Sequence, residues 1–400
     1  MTEAGLVLAL AAGVVLFGGT DPALYGPVQA VVLVLAAAAL LREGNLKVLP
    51  LLWPGLWLTY VLLQLTTLSR APYATLRQGL QLLVCVSVFF LGLCLFRRRE
   101  SQERVIRVLI FVAAAEALYA LVQTLTGRSE IVAGVQGTGT YVNRNHFAGL
   151  LEMVLPLAVV MGLGTGGGEG REHSTAKRGL FLFLGILLAA GIVTSRSRMG
   201  ILSALVSLTV LLLVLVGSRR TYSRGALAVL AVLLASLVLA AWVGLEPALE
   251  RFAALGHDLR VEEAGRWAIW KDTVALIREH PLTGTGFGSY DITVTRVQTS
   301  HLDRFLNYAH NDYLQLVAEL GIVGAGIVLL PIFWVFRRTI ARAWRGVERT
   351  EGKTALGAAG GILALLVHGL TDGNLTIPAN AMVFALLLAL GYVNSGLKMT

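Results

Sequence analysis

The sequence predicts an all-α polytopic integral membrane protein of about 12 transmembrane helices, with one long connecting loop. Three observations carry this. Hydrophobic residues make up 56% of the 400 and charged residues only 14%, against about 25% charged in a soluble domain. The mean hydropathy is +0.72. Several apolar runs exceed the roughly 18 residues that mark a membrane-spanning helix. Together these exclude a cytosolic enzyme, a DNA-binding domain and a disulfide-stapled secreted scaffold. The net charge of +9 does not point to nucleic acid, because Lys and Arg in membrane proteins mainly set topology. Cys85 and Cys94 share one apolar run, and their spacing puts them on opposite faces of a helix. The sequence has no CxxC and no Cys/His metal cluster, so neither a metal nor a cofactor is expected.

Apolar segments fall at about 4–20, 23–41, 48–68, 75–96, 105–126, 146–164, 179–195, 198–216, 225–244, 312–336, 354–371 and 375–396. The first reads as a span, since no signal-peptide cleavage pattern follows it. Glycines and prolines inside several segments are tolerated in membrane helices. The whole chain, 1–400, reads as a single membrane domain, with the loop 245–311 inserted between spans nine and ten.

Basic residues test the count. With the N-terminus in the cytoplasm, the inner connections begin with Arg42 and Lys47, then Arg97, Arg98, Arg99, Arg104 and Arg107. Next come Arg171, Lys177 and Arg178, then Arg219, Arg220 and Arg224. Arg337, Arg338, Arg342, Arg345, Arg349, Lys353 and Lys398 complete a set of 20 among the 33 basic residues. The short outer segments hold six: Arg70, Arg77, Arg128, Arg144, Arg196 and Arg198. The other seven lie in the long loop. This bias fits the positive-inside rule and puts the C-terminus in the cytoplasm too.

The six outer exceptions are all arginine, whose planar fork suits bidentate phosphate binding. Arg77, Arg196 and Arg198 stand at span ends, where a charge is costly without a partner. Snorkelling to the interface is the alternative for Arg70 and Arg77.

The long loop mixes seven basic with nine acidic residues, so any anion site in it must be built from particular side chains. Its middle, 265–281, predicts an amphipathic helix with Trp267, Trp270, Val274 and Ile277 on the apolar face. Pro281 ends it. Arg266 then falls in the first turn, where free amides favour anions, or is simply solvated on a helix packed at the membrane surface. The glycine run 284–288 reads as a tight turn, since no strand precedes it.

Asn311 or Asp312 is expected to cap the tenth span, with His310 at its mouth. An adjacent carboxylate would orient His310 as a general base; a structural histidine is the alternative. Asn143, Arg144, Asn145 and His146 cluster before the sixth span, and TSRSRMG, 194–200, makes a short turn before the eighth. All of these lie on one side, so a shared outer site is plausible. Glu116, Glu152, Glu319 and His368 lie within spans and more often pair with a neighbouring helix.

Four patterns, GTYVNRNHFAG, SRSRMG, GRWAIW…HPLTGTGFG and AHNDYLQLVAELGIVG, resemble the O-antigen ligase and polymerase superfamily of bacterial glycan transferases. The resemblance covers most of the chain and implies a GT-C-like fold with short helices in a periplasmic loop. It implies transfer of a glycan from an undecaprenyl-diphosphate carrier to an acceptor, inverting and metal-independent, in the bacterial inner membrane. The family's catalytic histidine falls on His310 and its loop arginine on Arg266. Its arginine in an S-R-x-G context falls best on Arg198, with Arg196 in a looser alignment. Arg196, Arg144, Asn145, His146, Asn311 and Asp312 are then candidate substrate contacts.

A ligase acting on lipid A–core is the first reading, and a polymerase joining carrier-linked repeat units, O-antigen or exopolysaccharide, is the second. A protein-glycosylating relative is disfavoured by the short loop. A polysaccharide or lipid transporter should show related halves meeting near the bilayer midplane, whereas the polar residues here gather on one side. A reporter fused inside 245–311 is expected to give a periplasmic signal. A cytoplasmic signal overturns the orientation and the site together.

Overall fold

The structure is a computed structural model that describes residues 2–42, 51–127, 137–164, 171–217, 255–299 and 306–396, with scattered positions in 227–238. Every regular element among them is helical. The helices are α1 (Thr2–Val15), α2 (Pro22–Arg42), α3 (Leu52–Leu63), α4 (Pro72–Leu95), α5 (Arg99–Thr126), α6 (Arg144–Gly162) and α7 (Arg171–Thr194). They continue with α8 (Arg198–Gly217), α9 (Leu255–Glu279), the short α10 (Tyr290–Thr293), α11 (Asp312–Gly346), α12 (Thr350–His368) and α13 (Pro378–Asn394).

Eleven of the expected apolar segments fall on helices, and the segment 225–244 lies largely outside the described residues. Among the described residues, seven helices, α2, α4, α5, α6, α7, α8 and α11, are long and apolar enough to cross a membrane. This supports a polytopic α-helical membrane protein. Helices α1 and α13 are apolar but have 14 and 17 residues, shorter than the ~20 a simple span needs. Cys85 and Cys94, both on α4, are not bridged to each other, in keeping with their spacing.

Helices α6 and α12 form the centre. Every residue of α6 from His146 to Gly162 is buried, as expected of a helix that is apolar all round. Helix α12 packs against α6, α8, α11 and α13. Its small residues Gly357, Ala358, Ala359, Gly360 and Gly361 let the backbones approach closely, the usual means of helix association in lipid. A Cβ at Gly361 would collide with the Met153 carbonyl of α6.

The intramembrane acids are paired between elements. Glu152 of α6 meets His368 of α12 at 3.0 Å. Glu116 accepts the Thr140 amide at 2.8 Å, and Glu319 accepts Gln315 Nε2 at 3.0 Å and the Gly288 amide at 2.9 Å.

Helix α11 is broken at Gly321 (φ 65°, ψ 178°), a backbone region that is essentially glycine-only. The break frees carbonyls and amides that lipid cannot satisfy. The segment 281–288 satisfies them. Thr285 N donates to Ala318 O (3.0 Å), Gly286 N to Glu319 O (2.9 Å) and Ile322 N to Pro281 O (2.9 Å). Buried Gln64, in the π-helical end of α3, donates to Thr283 O (2.8 Å) and Glu319 O (2.9 Å). Tyr60 Oη donates to Leu320 O at 2.7 Å. The glycine run is therefore a turn, as expected, whose backbone completes a broken helix.

Gly361→Leu is expected to push α12 off α6 and lower stability by about 1–3 kcal/mol or more, the usual cost of overpacking. The thermal midpoint of purified protein in detergent measures this, with Gly357→Ala as a milder companion.

Candidate functional site

Helix α11 starts with Asn311 as its N-cap, the side chain accepting the amides of Tyr313 and Leu314, both at 3.0 Å. The same side chain donates Nδ2 to Leu370 O at 2.8 Å. The Asp312 amide donates to Gly369 O (2.8 Å) and Tyr313 Oη to Leu366 O (2.6 Å). Three consecutive residues thus staple the start of α11 to the end of α12.

His310 stands just before this staple with φ +48°, an uncommon left-handed conformation for a non-glycine residue. Such strain persists only where the surroundings over-determine it. Here Ala309 donates its amide to Gln315 Oε1 (3.1 Å) and accepts Trp270 Nε1 from α9 (3.1 Å). The strain aims His310 Nδ1 at Asp372 Oδ1, 3.2 Å away. The histidine side chain is 31% exposed and the carboxylate only 1%.

Asp372, in the turn after α12, was not among the expected site residues. Its Oδ1 also accepts the Gly373 amide at 2.9 Å. His146 Nε2 lies 4.0 Å from the same oxygen. Burial pushes the Asp372 pKa up, but the His310 hydrogen bond and the charges of His146, His310 and His368 outweigh it. The carboxyl is held well below the usual carboxylate range. It therefore orients His310: Nδ1–H, assigned from this hydrogen-bond pattern, donates to Asp372, leaving the Nε2 lone pair as a base. Tyr308 packs edge-on between the two imidazoles, 5.2 Å from His310 and 6.0 Å from His146.

Several expectations are corrected. The carboxylate beside His310 is Asp372; sequence-adjacent Asp312 is buried and committed to the staple, with Leu375 N facing its Oδ2 at 3.4 Å. Asn311, by contrast, is the cap that the sequence offered. His146 is 3% exposed and reaches Asp372 rather than an open surface. Helix α9 begins at Leu255, so Arg266 lies well inside it and has no helix-terminal amides beside it. Its buried face carries Ile269, Asp272, Thr273 and Leu276, while Trp267 is 62% exposed. By helical register Arg266 lies one turn before Trp270, the side chain that holds the His310 segment.

Arg196 and Arg198 occupy the turn between α7 and α8, and both are exposed. Arg196 has φ +55°. Ser197 Oγ caps α8 by accepting Gly200 N at 3.1 Å, which makes Arg198 the first helical residue. Arg144 likewise opens α6 after the Asn143 cap, whose side chain accepts Asn145 N at 2.8 Å. Cations are unfavourable at a helix N-terminus, and an anion bound there reverses the sign. Gly200 packs on Ala148, half a turn beyond His146. The structure thus brings His146, Asp372 and His310 together and seats α8's start against α6.

An apolar groove of about 800 Å³ opens beside Tyr308 and Asp312 and runs between α2, α3, α4, α11 and α13. Trp57, Leu82, Phe89, Ile332 and Phe384 line it. None of Arg144, Arg196, Arg198 or Arg266 does.

Residues 183–329 match the family described as O-antigen ligase. The match supports the O-antigen ligase and polymerase superfamily, and with it a membrane enzyme of ligase or polymerase type. It spans Arg196, Arg198, Arg266, His310, Asn311 and Asp312, and leaves Asp372 and His146 outside. No curated protein matches the chain significantly.

Asp372→Asn is expected to keep the fold and to cut turnover by roughly 10²–10⁴-fold, the range for a misdirected or missing general base. The carboxyl's depressed folded pKa contributes stability above the unfolded value of about 3.9, lost as pH falls through the folded value. The difference in thermal midpoint between wild type and Asn variant should therefore shrink below about pH 4.

Proposed function

We propose that the chain transfers a glycan from an undecaprenyl-diphosphate carrier to lipid A–core at the periplasmic face of the inner membrane, both termini being cytoplasmic. The observation that carries this reading is His310, locked by Asp372, part-exposed, and packed against Tyr308, which lines a long apolar groove. That pairing sets a base for an acceptor hydroxyl beside a compartment suited to a lipid chain.

The acceptor hydroxyl attacks the anomeric carbon from the face opposite the diphosphate, inverting the centre. As the new C–O bond forms, His310 Nε2 takes the hydroxyl proton. The old C–O bond breaks, and its electron pair leaves with undecaprenyl diphosphate. The imidazolium is stabilised by the Asp372 carboxylate. Charge grows on the diphosphate oxygens, and Arg198 and Arg266 are the cations assigned to it, with Arg196 and Arg144 at neighbouring helix starts. Preorganised donors of this kind contribute several kcal/mol. The arginines' planar forks suit a diphosphate better than lysine point charges do.

The test is transfer by purified protein in lipid, with synthetic undecaprenyl-diphosphate glycan and either lipid A–core or no added acceptor. Glycan on lipid A–core supports the ligase, and longer carrier-linked chains without added acceptor replace it with a polymerase. Under the ligase reading His310→Ala loses about 10²–10⁴-fold in turnover. Wild-type turnover in that variant removes the base. Arg198→Lys and Arg266→Lys should each bind the donor more weakly, and unchanged binding in both removes bidentate recognition.

A further inference from the structure

The groove's polar lining is uneven. Its wall carries the carboxyl residues Asp291, Asp312 and Glu319, but Arg77 is the single cation lining it among the described residues. Glu319 and Asp312 are already engaged by backbone and side-chain donors. Asp291 also lines the groove, yet no ion pair joins Arg77 to any carboxylate among the described residues. Arg77 is exposed, in the second turn of α4. The start of α4 is fixed by the Arg70 amide donating to Thr285 O at 2.8 Å, and Gly288 lies against Gln78. Gly288 in turn donates its amide to Glu319 of the α11 piece that begins beside His310, and Arg77 and Tyr308, the neighbour of His310, both line the groove. Beyond Arg77 the α4 wall is mostly apolar, with Leu82, Val86 and Phe89 beside Gln81 and Cys85. From Arg77 to Phe89 the helix rises about 18 Å, more than half the roughly 30 Å hydrocarbon thickness.

A long, mostly apolar trough lined by a lone guanidinium fits an amphiphile with an extended hydrocarbon tail and an anionic head. We propose that Arg77 binds the lipid-proximal phosphate of a polyprenyl diphosphate whose tail lies in this groove. This rests on the carrier-dependent reading above and adds a residue to it. Arg198 and Arg266 are off the groove and serve the sugar-proximal phosphate, whereas Arg77 grips the lipid-proximal one, and both phosphates leave together on the carrier. The diphosphate is then held from two sides, which fixes the anomeric carbon in front of His310.

The experiment is binding to protein in phosphatidylcholine nanodiscs, comparing undecaprenyl diphosphate with undecaprenol. Wild type is expected to prefer the diphosphate by tenfold or more, and Arg77→Ala to lose about tenfold of that preference. Undecaprenol binding is unchanged in the variant, which reports an intact groove. Arg77→Lys keeps part of the preference, and Asp291→Asn, which removes a negative charge from the same lining, keeps all of it. If Arg77→Ala and Arg77→Lys both retain the wild-type preference, Arg77 is not a phosphate ligand and the carrier reading stands on its other arginines. If wild type does not distinguish the two lipids, both readings fall. Replacing phosphatidylcholine by phosphatidylglycerol separates the sources of phosphate: a preference that survives supports the carrier, and one that vanishes makes Arg77 an ordinary phospholipid anchor.

Discussion

The break in α11 at Gly321 is the constraint on which this end of the molecule depends. A helix interrupted in an apolar bundle exposes backbone groups that cost several kcal/mol each if left unpaired. The chain answers them with the 281–288 segment, Gln64 and Tyr60. Because these partners come from distant parts of the sequence, α3, α4, α9 and α11 are locked in one arrangement. The nine-residue piece of α11 before the break is then a short rigid post rather than the end of a long helix. His310 stands on it, and the groove mouth is formed around it.

Electrostatics at the post follow from burial. Asp372 sits in an almost water-free position between two imidazoles. A carboxylate there is tolerable because His310, His146 and the Gly373 amide surround it. The arrangement is asymmetric. His310 is open on one side, as the base proposed above requires, while His146 is enclosed beside the same carboxylate. The strained φ of His310 belongs to the same design. A relaxed backbone would turn the ring away from Asp372, and the stapling of Asn311, Asp312 and Tyr313 to α12 prevents that relaxation.

Much of this was legible in the sequence, and the losses have physical causes. Apolar runs located the helices because lipid imposes length and composition on each segment independently. Asn311 was readable as a cap because capping is local. Asp372 was invisible because it lies 62 residues beyond His310 and its neighbourhood, HGLTDGN, carries no local signal; only the packing of α12 on α11 brings them together. Arg266 was misplaced because helix starts are set by tertiary contacts, and Gly265 looked like a start inside what is a continuous helix. The apolar face of α9 was read from the tryptophans, yet Trp267 is exposed while Thr273 and Asp272 are buried. Periodicity weighs size, whereas burial here follows hydrogen bonds: Thr273 bonds Tyr290, and Asp272 accepts Thr299.

The helix starts carry a further piece of logic. Arg144 and Arg198 each open a helix whose own dipole opposes them, and each is preceded by a side-chain cap that satisfies an amide without cancelling the charge. A protein selected only for stability would place acids there. The two sites instead hold cations against the local field, on helices packed against each other beside His146. A cation so placed meets the positive end of its own helix, and an anion bound beside it turns that opposition into attraction. On the carrier reading proposed above, a lipid diphosphate is such an anion. On that same reading these positions gain little from a neutral sugar, which assigns the two helix starts to donor binding rather than acceptor binding.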